Sequence, residues 1–393
     1  MPRIDKIDSS LVGELQSALD CGRYTSGTTH NFYHYPARFS PRVANNIVKS
    51  FTRRGDWILD PFMGGGTGAI EALITGRRFV GTDINSLAHF VSGVRTRPIS
   101  AEDEDAIRGW ARQSAKRGVG YIMSSSLVPS IRNLPPAFTA FMTEAKSLAK
   151  HMPPRRRNFA QCVLLRLGQW ALDCRDFSAP RRSRLAERLP VLAEEMILGL
   201  QDFVSQCRAI GLQKRALTDR RLLLNRSAVG IEADAGLRSL RRKPRLVFTS
   251  PPYPAVNVLY HRWQYRGRKE TPAPYWIADV KDGCGQAYYC GGSRTPTGLR
   301  NYFSMITDAY SSVRAFVHPD AYIVQLMGFS NAEEQLPIYL RCLESAGLEE
   351  CKIPRRLGGP RLARRVPNRK WYAKLQGEVD ASTEYLLIHR VAA

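Results

Sequence analysis

The chain has 393 residues, of which 44% are hydrophobic, a length that accommodates one large domain with an insertion or two ordinary domains. No run of about 18 apolar residues occurs, and residues 1–20 lack the apolar stretch of a secretion signal, so we expect a cytoplasmic protein without a membrane-spanning helix. The formal net charge of +23 exceeds what solubility requires. It favours a polyanionic partner such as nucleic acid over a small-molecule substrate.

The excess positive charge is concentrated in short runs of basic residues. The runs are Arg155-Arg156-Arg157, Arg181-Arg182, Arg220-Arg221, Arg241-Arg242-Lys243 and Arg364-Arg365. Helical faces this rich in arginine repel one another, so we expect the first two runs to contact nucleic-acid phosphates. The alternative is a general enrichment in arginine that follows from a high genomic GC content.

The eight cysteines form no CxxC pair and no cluster with histidine at the spacing of zinc ligands. We therefore expect reduced thiols and no metal site. Cys284 and Cys290 flank a glycine-rich loop, where a chance pair is a simpler explanation than a metal site.

The first predicted elements form a unit of strand, glycine-rich turn, helix and strand. A helix at 41–53 precedes an apolar strand at 57–59, which runs into the glycine-rich residues 60–68. A helix at 69–74 and a second strand at 78–83 follow. This order is typical of a parallel α/β sheet that binds a ligand at the carboxyl ends of its strands.

Long helical stretches with arginine-rich faces then replace this pattern, for example at 159–174 and 185–210. Strand-like sequence returns at 229–234, which we interpret as the third strand, and at 246–249. The chain therefore divides into three parts: the first half of the core (1–98), a helical insertion (99–227) and the second half of the core (228–393).

The second half of the core contains a long segment rich in Gly, Pro, Tyr and Arg at 260–300, which we interpret as a binding loop. The remaining predicted elements are a helix at 302–316, a strand at 321–327, a helix at 332–346 and strands at 348–353 and 384–389. No internal repeat or low-complexity segment interrupts them.

The glycine-rich segment after the first strand is the first candidate site. Its glycines allow the backbone to turn sharply and approach a ligand closely, and Asp60 can accept hydrogen bonds from an ammonium group. A dinucleotide site is the alternative. An acidic residue ahead of the glycines disfavours it, because it would repel a pyrophosphate.

Acidic residues at the ends of the next two strands are the second candidate site. Asp83 ends the second strand, where a carboxylate can accept hydrogen bonds from both hydroxyls of a ribose. The alternative role for Asp83 is to cap the following helix. Asp234 ends the expected third strand, where it is placed to reach an adenine amino group.

The third candidate site is the segment Thr249-Ser250-Pro251-Pro252-Tyr253, at the end of the apolar strand at 246–249. Two consecutive prolines fix the backbone and remove two donors, which leaves carbonyl groups free to accept from an amine. Ser250 adds a side-chain oxygen, and Tyr253 adds a flat ring on which a base can stack. A stiff turn after a strand would explain the prolines but not the whole cluster.

Together these motifs resemble the amino-methyltransferases of DNA. Residues 30–41 are similar to the N-terminal cofactor motif of that family, Asp60–Gly68 to its DPFxGxGT motif, and Gly81–Asn85 to its ribose-binding motif. Thr249–Tyr253 is similar to the catalytic motif in its TSPPY form. The resemblance covers roughly residues 28–98 and 228–390.

The resemblance implies a Rossmann-like, seven-stranded class I methyltransferase sheet with an antiparallel last strand, here carrying an inserted helical subdomain. It implies S-adenosyl-L-methionine as the cofactor and Ser250, Pro251, Pro252 and Tyr253 as the catalytic residues. The implied cofactor residues are Tyr35, Pro36, Ala37, Arg38, Phe39, Asp60, Pro61, Phe62, Gly64, Gly66, Thr67, Asp83, Ile84 and Asp234. The insertion departs from the usual place of the target-recognition region, so both 99–227 and 260–300 are candidates for it.

The resemblance also ranks the target bases. The TSPPY form is associated mainly with cytosine N4. The alternatives are adenine N6 in DNA and guanine N2 in tRNA, and the motif of the family that methylates guanine N2 usually begins with Asp. Methylation at cytosine C5 needs a Pro-Cys pair, which this sequence lacks. A DNA-binding regulator without catalysis is disfavoured because each expected catalytic position carries a competent residue. We expect DNA as a partner, and a cognate restriction endonuclease is a second candidate partner.

Overall fold

The computed structural model describes residues 8–20, 27–34, 40–120, 131–173, 178–254, 263–266, 269–281, 295–366 and 382–392. The first half of the core contains α1 (Ser9–Asp20), α2 (Pro41–Phe51), β1 (Trp57–Asp60), α3 (Thr67–Ile74), β2 (Arg78–Thr82) and α4 (Ser86–Arg95). These bounds agree with the strand, turn, helix and strand predicted from the sequence. Pro41 begins α2 at a position where its missing backbone N–H would have no acceptor within the helix, and Asn85 caps α4 through its side chain.

Among the residues that the structure describes, four α-helices form most of the insertion, and the elements after them complete the core. The insertion consists of α5 (Ala101–Gly120), α6 (Pro136–Lys150), α7 (Pro154–Leu172) and α8 (Arg182–Ala209). The core continues with β3 (Arg221–Leu224), α9 (Ala235–Arg238), β4 (Leu246–Thr249), β5 (Trp263–Tyr265), β6 (Lys269–Thr271), α10 (Ala273–Ala278) and α11 (Pro296–Phe316). It ends with β7 (Tyr322–Gly328), α12 (Ala332–Ser345), β8 (Leu348–Glu350), β9 (Leu362–Val366) and β10 (Ser382–Val391).

The main sheet has the strand order β3-β2-β1-β4-β7-β10-β8. The first five strands along this path are parallel, and β10 is antiparallel to both β7 and β8. This order confirms the predicted fold class. The sheet also has an eighth strand, because β9 pairs with the first half of β10.

The core lies on both faces of the sheet. All four residues of β1 and of β4 are buried, as expected for parallel strands covered by helices on each face. The insertion does not form a separate core, because apolar residues of its helices share one cluster with Leu73 of α3 and Val91 of α4. None of the described helices is long and apolar enough to span a bilayer.

The prediction of a third strand at 229–234 is wrong. The third strand is β3, which pairs in parallel with β2, whereas Ile231–Ala233 forms a 3₁₀ turn. Gly230 has a left-handed φ of 76°, which no strand accommodates. The sheet therefore resumes before residue 227, and the helices of the insertion end at Ala209.

The interpretation of 260–300 as a loop is only partly right. Its described part contains the antiparallel pair β5 and β6 and the helix α10, which packs against α7. Trp263 of β5 is 1% exposed, and its indole N–H donates a 3.0 Å hydrogen bond to the Tyr33 hydroxyl. Cys284 and Cys290 lie outside the described residues.

Candidate functional site

The segments that follow β1, β2, β3 and β4 lie side by side at the carboxyl edge of the parallel sheet. This edge is where open α/β sheets bind ligands. It brings together the glycine-rich segment that begins at Asp60, the turn at Asp83 and the segment Thr249–Tyr253, which resembles the catalytic motif and is called by that name below. Three motifs that are far apart in the chain thus share one site.

The glycine-rich segment after β1 is held in a tight turn. Gly64 and Gly66 have left-handed φ values of 47° and 76°. A Cβ atom at Gly66 would lie 2.6 Å from the Ser92 hydroxyl oxygen, so only glycine fits there without displacing α4. The same hydroxyl donates a 2.9 Å hydrogen bond to the Gly64 carbonyl, and Arg95 donates to the carbonyl of Gly65.

Asp83 connects this turn to the end of β2. One of its carboxylate oxygens accepts from the Gly64 amide at 2.9 Å and the other from the Asn85 amide at 2.8 Å. Burial raises the pKa of Asp83 to about 6, although these two hydrogen bonds act to lower it. A carboxylate has about four lone-pair sites, so two remain for ligand hydroxyls. Asn85, and not Asp83, caps α4.

Asp60 connects the glycine-rich turn to the catalytic motif. The Thr249 hydroxyl donates a 2.6 Å hydrogen bond to Asp60 Oδ1, which also accepts from the Phe62 amide at 3.1 Å. Asp60 is 1% exposed, and burial raises its pKa to about 7 despite these bonds, with the charge of Asp83 adding to the rise. Its carboxylate is thus enclosed in the protein.

The other cofactor residues predicted along this edge differ in exposure. Pro61 and Thr67 are buried, whereas Phe62, Gly64 and Ile84 are half-buried. Asp234 does not end the third strand as expected. Its carboxylate caps α9 and forms a 2.7 Å ion pair with Arg226, while Asn225 is the residue that follows β3, and its amide donates to the Asp83 carbonyl.

The predicted N-terminal cofactor residues Tyr35, Pro36, Ala37, Arg38 and Phe39 lie outside the described residues. The segment just before them is anchored by residues that sequence reasoning missed. Arg95 donates to the carbonyls of His30 and Tyr33, and Gln169 of the insertion forms two hydrogen bonds with the backbone of His34, at 2.8 and 2.9 Å.

The catalytic motif is fixed at two points by side chains from elsewhere in the chain. The Tyr302 hydroxyl of α11 donates a 2.8 Å hydrogen bond to the Pro252 carbonyl. The Tyr253 hydroxyl donates a 2.7 Å hydrogen bond to Glu384 of β10. Ser250 is half-buried, and Pro251 is buried beside it.

The ring of Tyr253 is packed against the hydrophobic core and is 7% exposed. It does not present an open face in this structure, in contrast to the expectation of a flat stacking surface. Its part in capturing a base remains a prediction.

The arginine run 155–157 lies at the start of α7 and faces acidic residues of α5. Arg155 and Arg156 both pair with Asp103, at 2.9 and 2.6 Å, and Arg156 also pairs with Glu102. Burial opposes ionisation of Asp103, but the arginines and the Ser100 donors outweigh it and lower its pKa to about 2. Two of the three arginines therefore join α7 to α5, which weakens the expectation that this run binds phosphates.

Comparison with known proteins adds an independent line of argument. Residues 15–89 match the family model of the N6/N4 methyltransferases, described as DNA methylase. Type II methyltransferase M.MvaI from Kocuria varians is 33% identical over 99 residues, which cover 24% of this chain and 22% of that protein. Type II methyltransferase M.BsoBI from Geobacillus stearothermophilus is 38% identical over 61 residues, 15% of this chain and 12% of that protein.

Both matches span less than a quarter of these relatives. Among solved structures, rRNA methyltransferase aviRa from Streptomyces viridochromogenes covers 98% of this chain and 94% of its own, at 12% identity and a TM-score of 0.31. A score this low carries no structural argument, so the fold rests on the strand order. Residues 15–89 are thus similar to the N6/N4 family of DNA methylases, and the strand order of the sheet is the one that this resemblance predicts.

Proposed function

We propose that the chain transfers a methyl group from S-adenosylmethionine to the N4 amine of cytosine in DNA. The observation that carries this proposal is the hydrogen bond between Thr249 and Asp60. It joins the catalytic motif directly to the glycine-rich turn that begins at Asp60, which we call the cofactor turn. A methyl donor bound at the cofactor turn and a methyl acceptor bound at the catalytic motif would therefore be neighbours. Such positioning can supply much of the rate of a group transfer.

The cofactor turn suits a positively charged nucleoside. The half-buried carboxylate of Asp83 has lone pairs left for the ribose hydroxyls, and the tight turn at Gly66 brings backbone close to the ligand. Asp60 and Asp83 would provide two carboxylates for the sulfonium and ammonium groups of such a cofactor. When bound, the cofactor supplies an electrophilic methyl group.

The catalytic motif suits a neutral amine. The Pro252 carbonyl already accepts from Tyr302, which leaves the Pro251 carbonyl and the Ser250 hydroxyl as acceptors for the two amine hydrogens. These acceptors would orient the nitrogen lone pair and favour the positive charge that develops on it during transfer. The base would have to leave the duplex stack to reach this pocket.

Cytosine N4 is favoured over adenine N6 and over guanine N2 in tRNA because Ser250, and not Asp, precedes the two prolines of the motif. Several curated relatives are named type II methyltransferases, a name that states no target base. A catalytically inactive DNA-binding regulator is the non-enzymatic alternative. Pairing with a restriction endonuclease stays a prediction from the sequence.

Expression in a host without DNA methylation, followed by sequencing of its genomic DNA for modified bases, tests the proposal. We expect N4-methylcytosine in one recurring sequence context, and less of it in cells that express the Ser250→Ala variant. N6-methyladenine alone would identify the other amino-methyltransferase target. The absence of any modified base in DNA would contradict the proposal and favour the regulator or the RNA substrate.

A further inference from the structure

The catalytic motif contacts a buried ion pair that has no counterpart in the sequence motifs. The Tyr253 hydroxyl donates to Glu384 Oε1 at 2.7 Å, and the Arg364 guanidinium donates to Glu384 Oε2 at 2.7 and 2.5 Å. Glu384 is 3% exposed. Its two carboxylate oxygens thus serve two different partners.

The strand pairing places this ion pair at the catalytic edge. Glu384 lies opposite Gly328, at the carboxyl end of β7, and opposite Arg364 of β9. Strand β9 is the addition to the seven-stranded order, and its arginine neutralises the carboxylate that holds Tyr253. Burying a charged pair carries a large desolvation cost, which close hydrogen-bonded geometry offsets only in part, so stability alone is a weak reason for its presence.

We propose that Glu384 is a positioning residue for methyl transfer, acting through Tyr253. Its carboxylate holds the Tyr253 hydroxyl and thereby fixes the ring, the following turn and the Ser250 hydroxyl, which lies 3.4 Å from that of Tyr253. Arg364 orients the Glu384 carboxylate through its contacts with Oε2. This inference rests on the proposed function, because it concerns the geometry of the same reaction.

The chain offers a matched control on β8, another strand that pairs with β10. Arg361 pairs with Glu350 of β8 through two hydrogen bonds, at 2.5 and 2.8 Å. Glu350 lies opposite His389, near the far end of β10 from the catalytic edge. Replacement of Glu350 therefore disturbs an arginine–carboxylate pair of the same kind without touching the catalytic motif.

The test compares Tyr253→Phe, Glu384→Ala, their double variant and Glu350→Ala in kcat, in the Kd for S-adenosylmethionine and in Tm. We expect Tyr253→Phe and Glu384→Ala each to lower kcat by about 10- to 100-fold, the range for a misplaced reacting group, with cofactor Kd unchanged. The double variant should lose no more than Glu384→Ala alone, because Glu384→Ala already removes the Tyr253–Glu384 hydrogen bond. Glu350→Ala should keep the wild-type kcat even if its Tm falls.

A wild-type kcat in Tyr253→Phe or Glu384→Ala would overturn the inference, as would a double variant whose loss is the product of the two single losses. If Glu384→Ala does not fold, Tyr253→Phe decides: a lowered kcat at unchanged Tm and cofactor Kd supports the inference, and a wild-type kcat overturns it. A wild-type protein that transfers no methyl group to DNA would instead contradict the proposed function itself.

Discussion

The hydroxyl of Thr249 donates a 2.6 Å hydrogen bond to the carboxylate of Asp60, and so joins the ends of the adjacent strands β4 and β1. The first residue of the catalytic motif is thereby bonded to the first residue of the cofactor turn. The pKa of Asp60 depends on this bond. Burial raises it to about 7, and the Thr249 hydroxyl limits the rise.

Thr249→Val should weaken cofactor binding at neutral pH. Loss of the hydroxyl raises the pKa of Asp60 further, so less of the carboxylate is ionised at pH 7 to attract the cofactor cation. We expect the affinity to recover towards pH 9. Calorimetric titration at both pH values measures this, and Thr249→Ser, which keeps a hydroxyl, should behave like the wild type. An equal loss at both pH values would show that Thr249 acts through packing alone.

Asp60→Asn should stabilise the unliganded protein at pH 8. Unfolded Asp has a pKa of about 3.9, and folded Asp60 one of about 7, so the folded state holds the extra proton between these values. The contribution of Asp60 to stability is therefore fully present below pH 4 and is lost as the pH rises to 7. Asparagine carries no titrating proton, so the variant does not lose this stability. At pH 8 its free energy of unfolding, measured with denaturant, should exceed that of the wild type by about 1 to 4 kcal/mol. A less stable variant at pH 8 would contradict the raised pKa.

Asp83→Asn should weaken cofactor binding. The amide keeps one acceptor for the backbone but loses the negative charge. A hydrogen bond from a ribose hydroxyl to a charged carboxylate contributes about 1.5 to 3 kcal/mol. Calorimetric titration with the cofactor at pH 8, where wild-type Asp83 is ionised, gives the comparison. An unchanged affinity would remove Asp83 from the site.

Ser250→Ala should lower turnover far more than cofactor affinity, because its oxygen would face the base. We expect a loss of roughly 10-fold or more in kcat, as for one lost acceptor in the transition state, at unchanged cofactor Kd. Single-turnover kinetics separates the two quantities. Parallel losses in both would place Ser250 on the cofactor and not on the base.

Replacing Arg155, Arg156 and Arg157 with Ala should lower the Tm, because Asp103 loses both of its arginine partners. Each lost phosphate contact flattens the plot of log affinity against log salt by about 0.9 for duplex DNA. Since two of these arginines are paired within the protein, we expect a change of at most about one unit. A change near three units would restore the run as a phosphate-binding surface.

The motifs at the carboxyl edge could be predicted because each directly follows a short buried strand in the sequence. The third strand could not, since β3 is a half-buried edge strand of four residues that begins within a basic run. The contact of Tyr253 with Glu384 spans 131 residues and depends on the register of β10 against β7, which no local pattern encodes. The ion pairs of Arg155 and Arg156 with Asp103 could not be predicted either, because they depend on how α7 packs against α5.

The most direct test of the account is to incubate the purified protein with methyl-labelled S-adenosylmethionine and unmethylated duplex DNA, then digest the DNA and identify the labelled nucleoside by mass spectrometry. We predict labelled N4-methylcytosine, which should form much more slowly when Ser250→Ala or Asp83→Asn replaces the wild type. No label in DNA, or label on a ring carbon, would contradict the account.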